Sequence, residues 1–125
     1  MTYAAPRYPG RAPIDAYGNG GFRFADMSHR GSILCLPSGI HAWPPAGPAD
    51  ITAPALAAAL AEKDALGVLL LGTGQRQVFP ASDVREAFAA AGIALEAMDT
   101  GAACRTYNVL LAEGRPVGAA LLAVD

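Results

Sequence analysis

The chain has 125 residues, a net charge of −2, 53% hydrophobic residues and 16% charged residues. This length and this hydrophobic content predict one compact domain with a sizeable core, and they argue against disorder. The scattered arginines form no basic patch, which argues against nucleic-acid binding, and no apolar run approaches the ~20 residues that span a bilayer. We therefore expect no membrane insertion and, since no apolar signal core is visible, a cytoplasmic protein.

The N-terminal half is predicted to be rich in β-strands. Residues 1–12 contain proline and glycine but few large apolar groups, which predicts a flexible tail before a single domain at residues 13–125. Asn19-Gly20-Gly21 separates two aromatic, strand-like segments and predicts a β-hairpin. A second pair of strands is predicted within residues 31–43, around the Pro37-Ser38-Gly39 turn.

The C-terminal half alternates between helical and extended patterns. Helices are predicted near residues 52–64, 82–92 and 100–114, the first capped by Thr52 and the second by Ser82 and Gly92. Apolar segments between and after these helices predict three strands, and strands that alternate with helices are expected to run parallel. The sequence therefore predicts an α/β fold: a mixed sheet carrying helices, with extra N-terminal hairpin strands.

Two loops that follow predicted parallel strands form a candidate site. They are Gly72-Thr73-Gly74 and the segment from Asp99 to Thr100 that begins the third helix. Ligands of open α/β sheets bind beyond the carboxyl ends of the strands, and a helix N-terminus favours an anion. Two interpretations stay open for the glycine loop, a tight turn at the strand exit and a contact to a ligand.

The third helix carries three further candidates within about one turn. Cys104 is either a thiol activated by the helix dipole and Arg105 or a small buried apolar group. Asn108 is predicted to anchor the fold through hydrogen bonds, whereas Arg105 suits a bound carboxylate or an acidic partner. The wide apolar arc of this helix predicts deep packing on the sheet or against another chain, which makes a homo-oligomer one alternative.

No catalytic or metal-binding residue is assigned from the sequence. A nucleophilic cysteine usually needs a neighbouring base, and neither histidine lies near Cys104 in the chain. His29 and His41 are isolated, so no metal site is predicted, and no cofactor motif occurs. Cys35 and Cys104 are expected to be reduced thiols, with a disulfide as the weaker alternative.

The segments IDAYGNGGFRF, GSILCLPSGIHAW, LLLGTG and the stretch that contains TGAACRTYN carry a resemblance to a known family. They resemble the Mth-type family of small uncharacterised bacterial and archaeal domains, which includes a mitochondrial respiratory complex I assembly factor and an adipogenesis-associated protein. The resemblance covers about Ile14 to Val124. It implies a three-layer α/β fold, no established activity, no cofactor, and protein partners among respiratory complex subunits.

Three hypotheses about function follow from these observations. The first is a non-enzymatic assembly or interaction factor, which the resemblance suggests. The second is a small enzyme or a module for anionic ligands that uses the Gly72–Gly74 loop and the helix start near Thr100 and Arg105. The third is that the shared motif mainly stabilises the fold.

Overall fold

The computed structural model describes residues 6–125. A small antiparallel sheet opens the domain, in the order β1-β2-β3. Its strands are β1 (Ala16–Gly18), β2 (Gly21–Phe24) and β3 (Met27–Arg30). The predicted hairpin is confirmed: Asn19 and Gly20 connect β1 to β2 with φ angles of 53° and 79°. Both residues adopt the left-handed conformation that a two-residue type I′ turn requires.

The third strand, β3, was not predicted. Register places Phe24 opposite Met27, so Ala25 and Asp26 alone form the turn between β2 and β3. Their φ angles are 48° and 61°, the same left-handed pair as in the first hairpin. Alanine is an unusual residue for this conformation, because its Cβ disfavours positive φ. The turn therefore carries none of the Asn-Gly chemistry that made the first hairpin visible.

A second, five-stranded sheet forms the centre of the domain, in the order β5-β4-β8-β6-β7. Its strands are β4 (Ser32–Leu36), β5 (Gly39–Trp43), β6 (Val68–Gly72), β7 (Ala94–Met98) and β8 (Val117–Leu121). β6 is parallel to both β7 and β8, as predicted from the alternation of helices and strands. β4 is antiparallel to β5 and β8, which makes the sheet mixed.

The helices are α1 (Ala57–Ala61), α2 (Ser82–Ala91) and α3 (Thr100–Ala112). The first is shorter than predicted, because 3-10 turns at Pro54–Leu56 and Lys63–Ala65 flank a single α-helical turn. The Thr52 hydroxyl does accept a hydrogen bond, of 3.2 Å, from the Ala55 N–H, as its predicted capping role requires. No helix within residues 6–125 is long and apolar enough to cross a membrane.

The termini of α2 were predicted in part. Ser82 does not cap this helix: it is the first helical residue, and Ala81 stands at the N-cap without a side-chain hydrogen bond. The extended N-cap conformation falls at Ala81, so the helix starts one residue earlier than a Ser82 cap would require. At the other end, Gly92 closes the helix with a φ of 74°, which confirms the predicted C-terminal glycine.

Two hydrophobic cores lie on opposite faces of the central sheet. One is formed with the small sheet and α3, and includes Phe22, Phe24 and Tyr107. The other is formed with α1 and α2, and includes Leu56 and Phe88. Strands β6 and β8 contribute to both cores with alternate residues, as strands buried on two faces do. The fold is therefore the three-layer α/β arrangement that the sequence and the family resemblance predicted.

The described part of the segment before β1 packs on the domain. Tyr8 and Ile40 exchange two backbone hydrogen bonds of 3.2 and 2.9 Å, and Ala12 is buried. Residues 1–5 of the predicted tail lie outside the described residues. The division into a tail at residues 1–12 and a domain at residues 13–125 remains a prediction, and within it Tyr8 and Ala12 pack on the domain.

Candidate functional site

The two predicted loops meet at one edge of the central sheet. β6 and β7 are neighbours and run parallel, so their carboxyl ends lie side by side. The Thr73 N–H donates to the Met98 carbonyl at 2.9 Å, and the Thr100 N–H donates to the Gly74 carbonyl at 2.8 Å. These backbone hydrogen bonds bind the loop after β6 to the start of α3.

The hydroxyl of Thr73 is used inside its own loop. This side chain is buried, donates to the Arg76 carbonyl at 2.7 Å and accepts from the Val78 N–H at 3.0 Å. A hydroxyl has one proton to donate, and here that proton lies on a backbone carbonyl. Thr73 therefore shapes the loop at residues 73–78.

The hydroxyl of Thr100 has a corresponding role between three elements. It donates to the Leu122 carbonyl at 2.8 Å, after β8, and accepts from the Gly74 N–H at 3.0 Å. Thr100 is fully buried. Gly72 packs against the same residue, since a Cβ on Gly72 would lie 3.1 Å from the Thr100 Cα. The glycine thus permits α3 to approach β6 closely.

The N-terminus of α3 is capped by the chain itself. The Asp99 carboxylate accepts a hydrogen bond of 2.9 Å from the Ala102 N–H. A carboxylate at this position satisfies a free helix N–H and complements the positive end of the helix dipole. The Asp99 side chain thus already uses one of the helix N–H groups at the site predicted for an anion.

Cys104 is buried, with 2% of its surface exposed. Burial raises the pKa of its thiol to about 12; neighbouring Arg105 lowers that pKa and Asp99 raises it, both by less than burial does. Of the two alternatives for Cys104, burial favours the small buried apolar group, because removal from water outweighs the favourable charge of Arg105. Burial also raises the pKa of the Cys35 thiol. Both cysteines are free thiols, as expected.

Asn108 holds the N-terminal segment onto α3. The Ile14 N–H donates to its Oδ1 at 2.8 Å, and its Nδ2 donates to the Ile14 carbonyl at 2.8 Å. This paired hydrogen bond resembles a rung of a β-ladder, with the side-chain amide in place of a strand. The anchoring contact expected for Asn108 is present, and its partner is 94 residues away in the chain.

Arg105 is the exposed member of the motif. Its Nη1 donates to the Tyr17 hydroxyl at 3.1 Å, and the same hydroxyl lies against Gly101, where a Cβ would clash with it. Tyr17 is 41% exposed and was not singled out in the sequence. The only local signal was its place before the Asn19-Gly20 turn, and the tertiary fold brings it to α3.

A serine, a histidine and a carboxylate also meet elsewhere on the surface. The Ser38 hydroxyl donates to Glu62 at 2.6 Å and lies 3.0 Å from the Nε2 of His41. In a catalytic triad the carboxylate orients the histidine, and the histidine accepts the serine proton. Here the carboxylate accepts that proton directly, so the cluster ties the β4–β5 turn to the end of α1 and is not arranged as a relay.

The fold and the site together define a small three-layer α/β domain. Its motif on α3 holds two loops and the N-terminal segment against that helix. The chain belongs to the family described as Protein of unknown function (DUF498/DUF598), which matches residues 14–122. This finding confirms the family resemblance noted in the sequence.

Similar proteins extend this assignment. The crystal structure of an outer membrane protein from Bartonella henselae is 53% identical, covers 95% of this chain and all of that one, and gives a TM-score of 0.93. A Mth938-like domain protein from Bordetella pertussis is 34% identical, covers 98% of this chain and 92% of that one, and gives a TM-score of 0.80.

A human relative carries a functional description. NADH dehydrogenase [ubiquinone] 1 alpha subcomplex assembly factor 3 from Homo sapiens is 34% identical over 109 residues, which are 87% of this chain. The match spans 59% of the human protein. The homologues of this chain thus include complex I assembly factors.

Proposed function

We propose that this protein is a non-enzymatic interaction factor that helps to assemble a respiratory complex from the cytoplasmic side. The observation that carries the proposal is the 34% identity to the human assembly factor over 87% of this chain. Because the match spans 59% of the human protein, the proposal concerns the shared domain. Subunits of the respiratory complex are the proposed partners.

The surface that we assign to partner binding is the α3 patch, defined as Tyr17, Arg105 and Val109. Tyr17 is 41% exposed and Val109 is 57% exposed. Arg105 and Val109 are four residues apart on α3 and therefore lie on one side of it. An aromatic ring, an arginine and an apolar side chain together form the kind of surface that anchors protein interfaces.

The contacts within the motif favour this role over the second hypothesis. The hydroxyls of Thr73 and Thr100 bond to backbone groups, and Asp99 occupies the helix N-terminus. At the start of α3, Arg105 is the exposed motif residue that could meet a small ligand. An enzyme or anion-binding module built on the Gly72–Gly74 loop would need the groups that the fold already uses.

Affinity capture of the tagged chain from native extract, with membranes included, tests the proposal. Arg105→Ala and Val109→Ser are compared with Arg85→Ala, a matched control on α2, which packs on the opposite face of the sheet. We expect the wild type and the control to capture respiratory complex subunits and the two α3 variants to lose them. All four proteins are first shown to have equal melting temperatures.

Two results would contradict the proposal. Equal capture by all four proteins would remove the α3 patch from the interface. Capture of the chain's own copies alone, with a dimer in light scattering that Val109→Ser dissolves, would assign the patch to a homo-oligomer instead.

A further inference from the structure

A concave surface lies on the outer side of the small sheet and is bordered by Tyr17 of the α3 patch. Phe22 and Phe24 of β2 point into the core, so Arg23 between them points to the opposite side. The cavity on that side has a volume of about 380 Å³. From this face of the sheet the cavity is lined by Ala16, Gly18, Gly21, Arg23, Ser28 and Arg30. Tyr17, Asn19, Phe22 and His29 also contribute to its lining.

Strand register places two arginines on this one face. Arg23 is opposite Ser28, and Arg30 is opposite Gly21, so the two arginines are diagonal neighbours across the β2–β3 pair. Diagonal Cβ atoms in such a pair lie about 7–8 Å apart, within the reach of two long side chains. The Nη1 of Arg30 lies 3.5 Å from the position that a Cβ on Gly20 would occupy, so this guanidinium lies over the β1–β2 turn.

Neither guanidinium has a partner among residues 6–125. Arg23 and Arg30 form no side-chain hydrogen bond there, and the ion pair present in that range joins Arg115 to Glu113. Two like charges at diagonal positions of adjacent strands repel each other weakly, and an anion bound between them would remove that repulsion. Guanidinium groups have planar donor sets that fit carboxylate and phosphate oxygens.

The floor between the two arginines is kept open by glycine. A Cβ on Gly21 would clash with the His29 carbonyl of β3, so no side chain can fill this position. Gly18 opposite it has a φ of 131°, which side-chain-bearing residues rarely adopt. The cavity lies within the usual size range of small-molecule sites, about 300–1,000 Å³, and the Ser28 hydroxyl supplies a further polar group.

We propose that Arg23 and Arg30 bind a small soluble anion, a carboxylate or phosphate compound, in this cavity. One negatively charged group placed between the two guanidinia would receive hydrogen bonds from both and relieve their repulsion. Arg23 and Arg30 are not residues of the α3 patch, although Tyr17 of that patch borders the cavity. The proposal does not depend on the assembly function.

NMR titration of the whole chain with inorganic phosphate and with citrate tests the proposal, at about 0.15 M salt to suppress weak surface attraction. We expect saturable shifts at the Nε–Hε groups of Arg23 and Arg30 and at the Gly21 amide. Arg23→Gln and Arg30→Gln should each weaken binding by roughly tenfold or more, since each removes a charge-assisted contact. Arg85→Gln, an exposed arginine of α2, is the matched control and should leave the affinity unchanged.

Several different results would overturn the proposal, and each has its own interpretation. Shifts that rise linearly without saturation, or that persist in both variants, would show general screening by an anion. A vesicle arm compares phosphatidylglycerol with phosphatidylcholine, and binding to the former without any response to phosphate or citrate would assign the arginines to a lipid surface. Loss of binding in the Arg85→Gln control would also reject the assigned position.

Discussion

The two sides of α3 carry residues at the same spacing, but one side is buried and the other is exposed to solvent. Thr100, Cys104 and Tyr107 lie on the inner side and are each at most 2% exposed. Arg105, Val109 and Ala112 repeat the same i, i+4, i+7 pattern on the outer side and are exposed. The segment TGAACRTYN therefore contributes to two rows of residues, one buried and one exposed, which helical periodicity interleaves. The inner row holds the fold together, and the outer row is presented to solvent.

Within the inner row, substitution of Thr100 should reduce the free energy of unfolding the most. Thr100→Val keeps the shape but removes the hydroxyl, which leaves the Leu122 carbonyl and the Gly74 N–H without their partner. Two unsatisfied groups predict a loss of roughly 2–4 kcal/mol in the free energy of unfolding. Urea denaturation measures it. Thr106→Val, on the same helix and partly exposed, is the matched control and should cost less than about 0.5 kcal/mol.

Asn108 should give the next largest effect. Asn108→Ala removes both hydrogen bonds to Ile14 and is expected to cost about 1–3 kcal/mol. Hydrogen exchange at the Ile14 amide should speed up more than at amides in β8. Asn108→Asp keeps the acceptor but loses the donor to the Ile14 carbonyl, so it should also destabilise. A stable Asn108→Asp protein would contradict the anchoring role.

Cys104 tests the inner row through pH. Its folded pKa is about 12, above its unfolded value, so its contribution to stability is complete below the unfolded pKa and is lost as pH rises toward 12. We expect stability to fall between about pH 9 and 11 and to fall less steeply in Cys104→Ala. A thiol reagent at pH 8 should label the folded protein slowly and the unfolded protein at once. Rapid labelling of Cys104 in the folded state would show that it is accessible.

The outer row should show the smallest effect on stability. Arg105→Ala removes one exposed hydrogen bond to Tyr17 and should change the free energy of unfolding by no more than about 0.5 kcal/mol. Its effect is expected in partner capture instead. A loss of stability as large as that of Thr100→Val would erase the distinction between the two rows.

Much of the fold could be predicted because local patterns and tertiary structure agree. The apolar run at Val68–Gly72 predicted a strand covered on both faces, and the apolar segment at Val117–Leu121 predicted a final strand. Both strands lie in the sheet between the two cores. Asn19-Gly20 marked a hairpin because these residues tolerate positive φ. Gly92 marked the end of α2 for the same reason.

Other features lacked a local signal. β3 was missed because its turn uses Ala25 and Asp26. This residue pair, unlike Asn-Gly, does not predict two successive residues with positive φ. Arg105 was a candidate from the sequence, but its hydrogen-bond partner Tyr17 lies 88 residues away. Arg23 and Arg30 lie on one face of the small sheet only because β3 pairs with β2. Since β3 was not predicted, the sequence alone did not link the two arginines.

The sequence by itself determined the order of most elements, the parallel strands of the second half and the helix that carries the family motif, because periodicity and turn chemistry are local properties. Tertiary structure decided which polar groups of the motif are already used by hydrogen bonds or burial within the fold. Burial kept the Cys104 thiol protonated, backbone carbonyls and amides used the hydroxyls of Thr73 and Thr100, and Ile14 took the amide of Asn108. Those outcomes depend on desolvation and on partners distant in the chain, which no local pattern records.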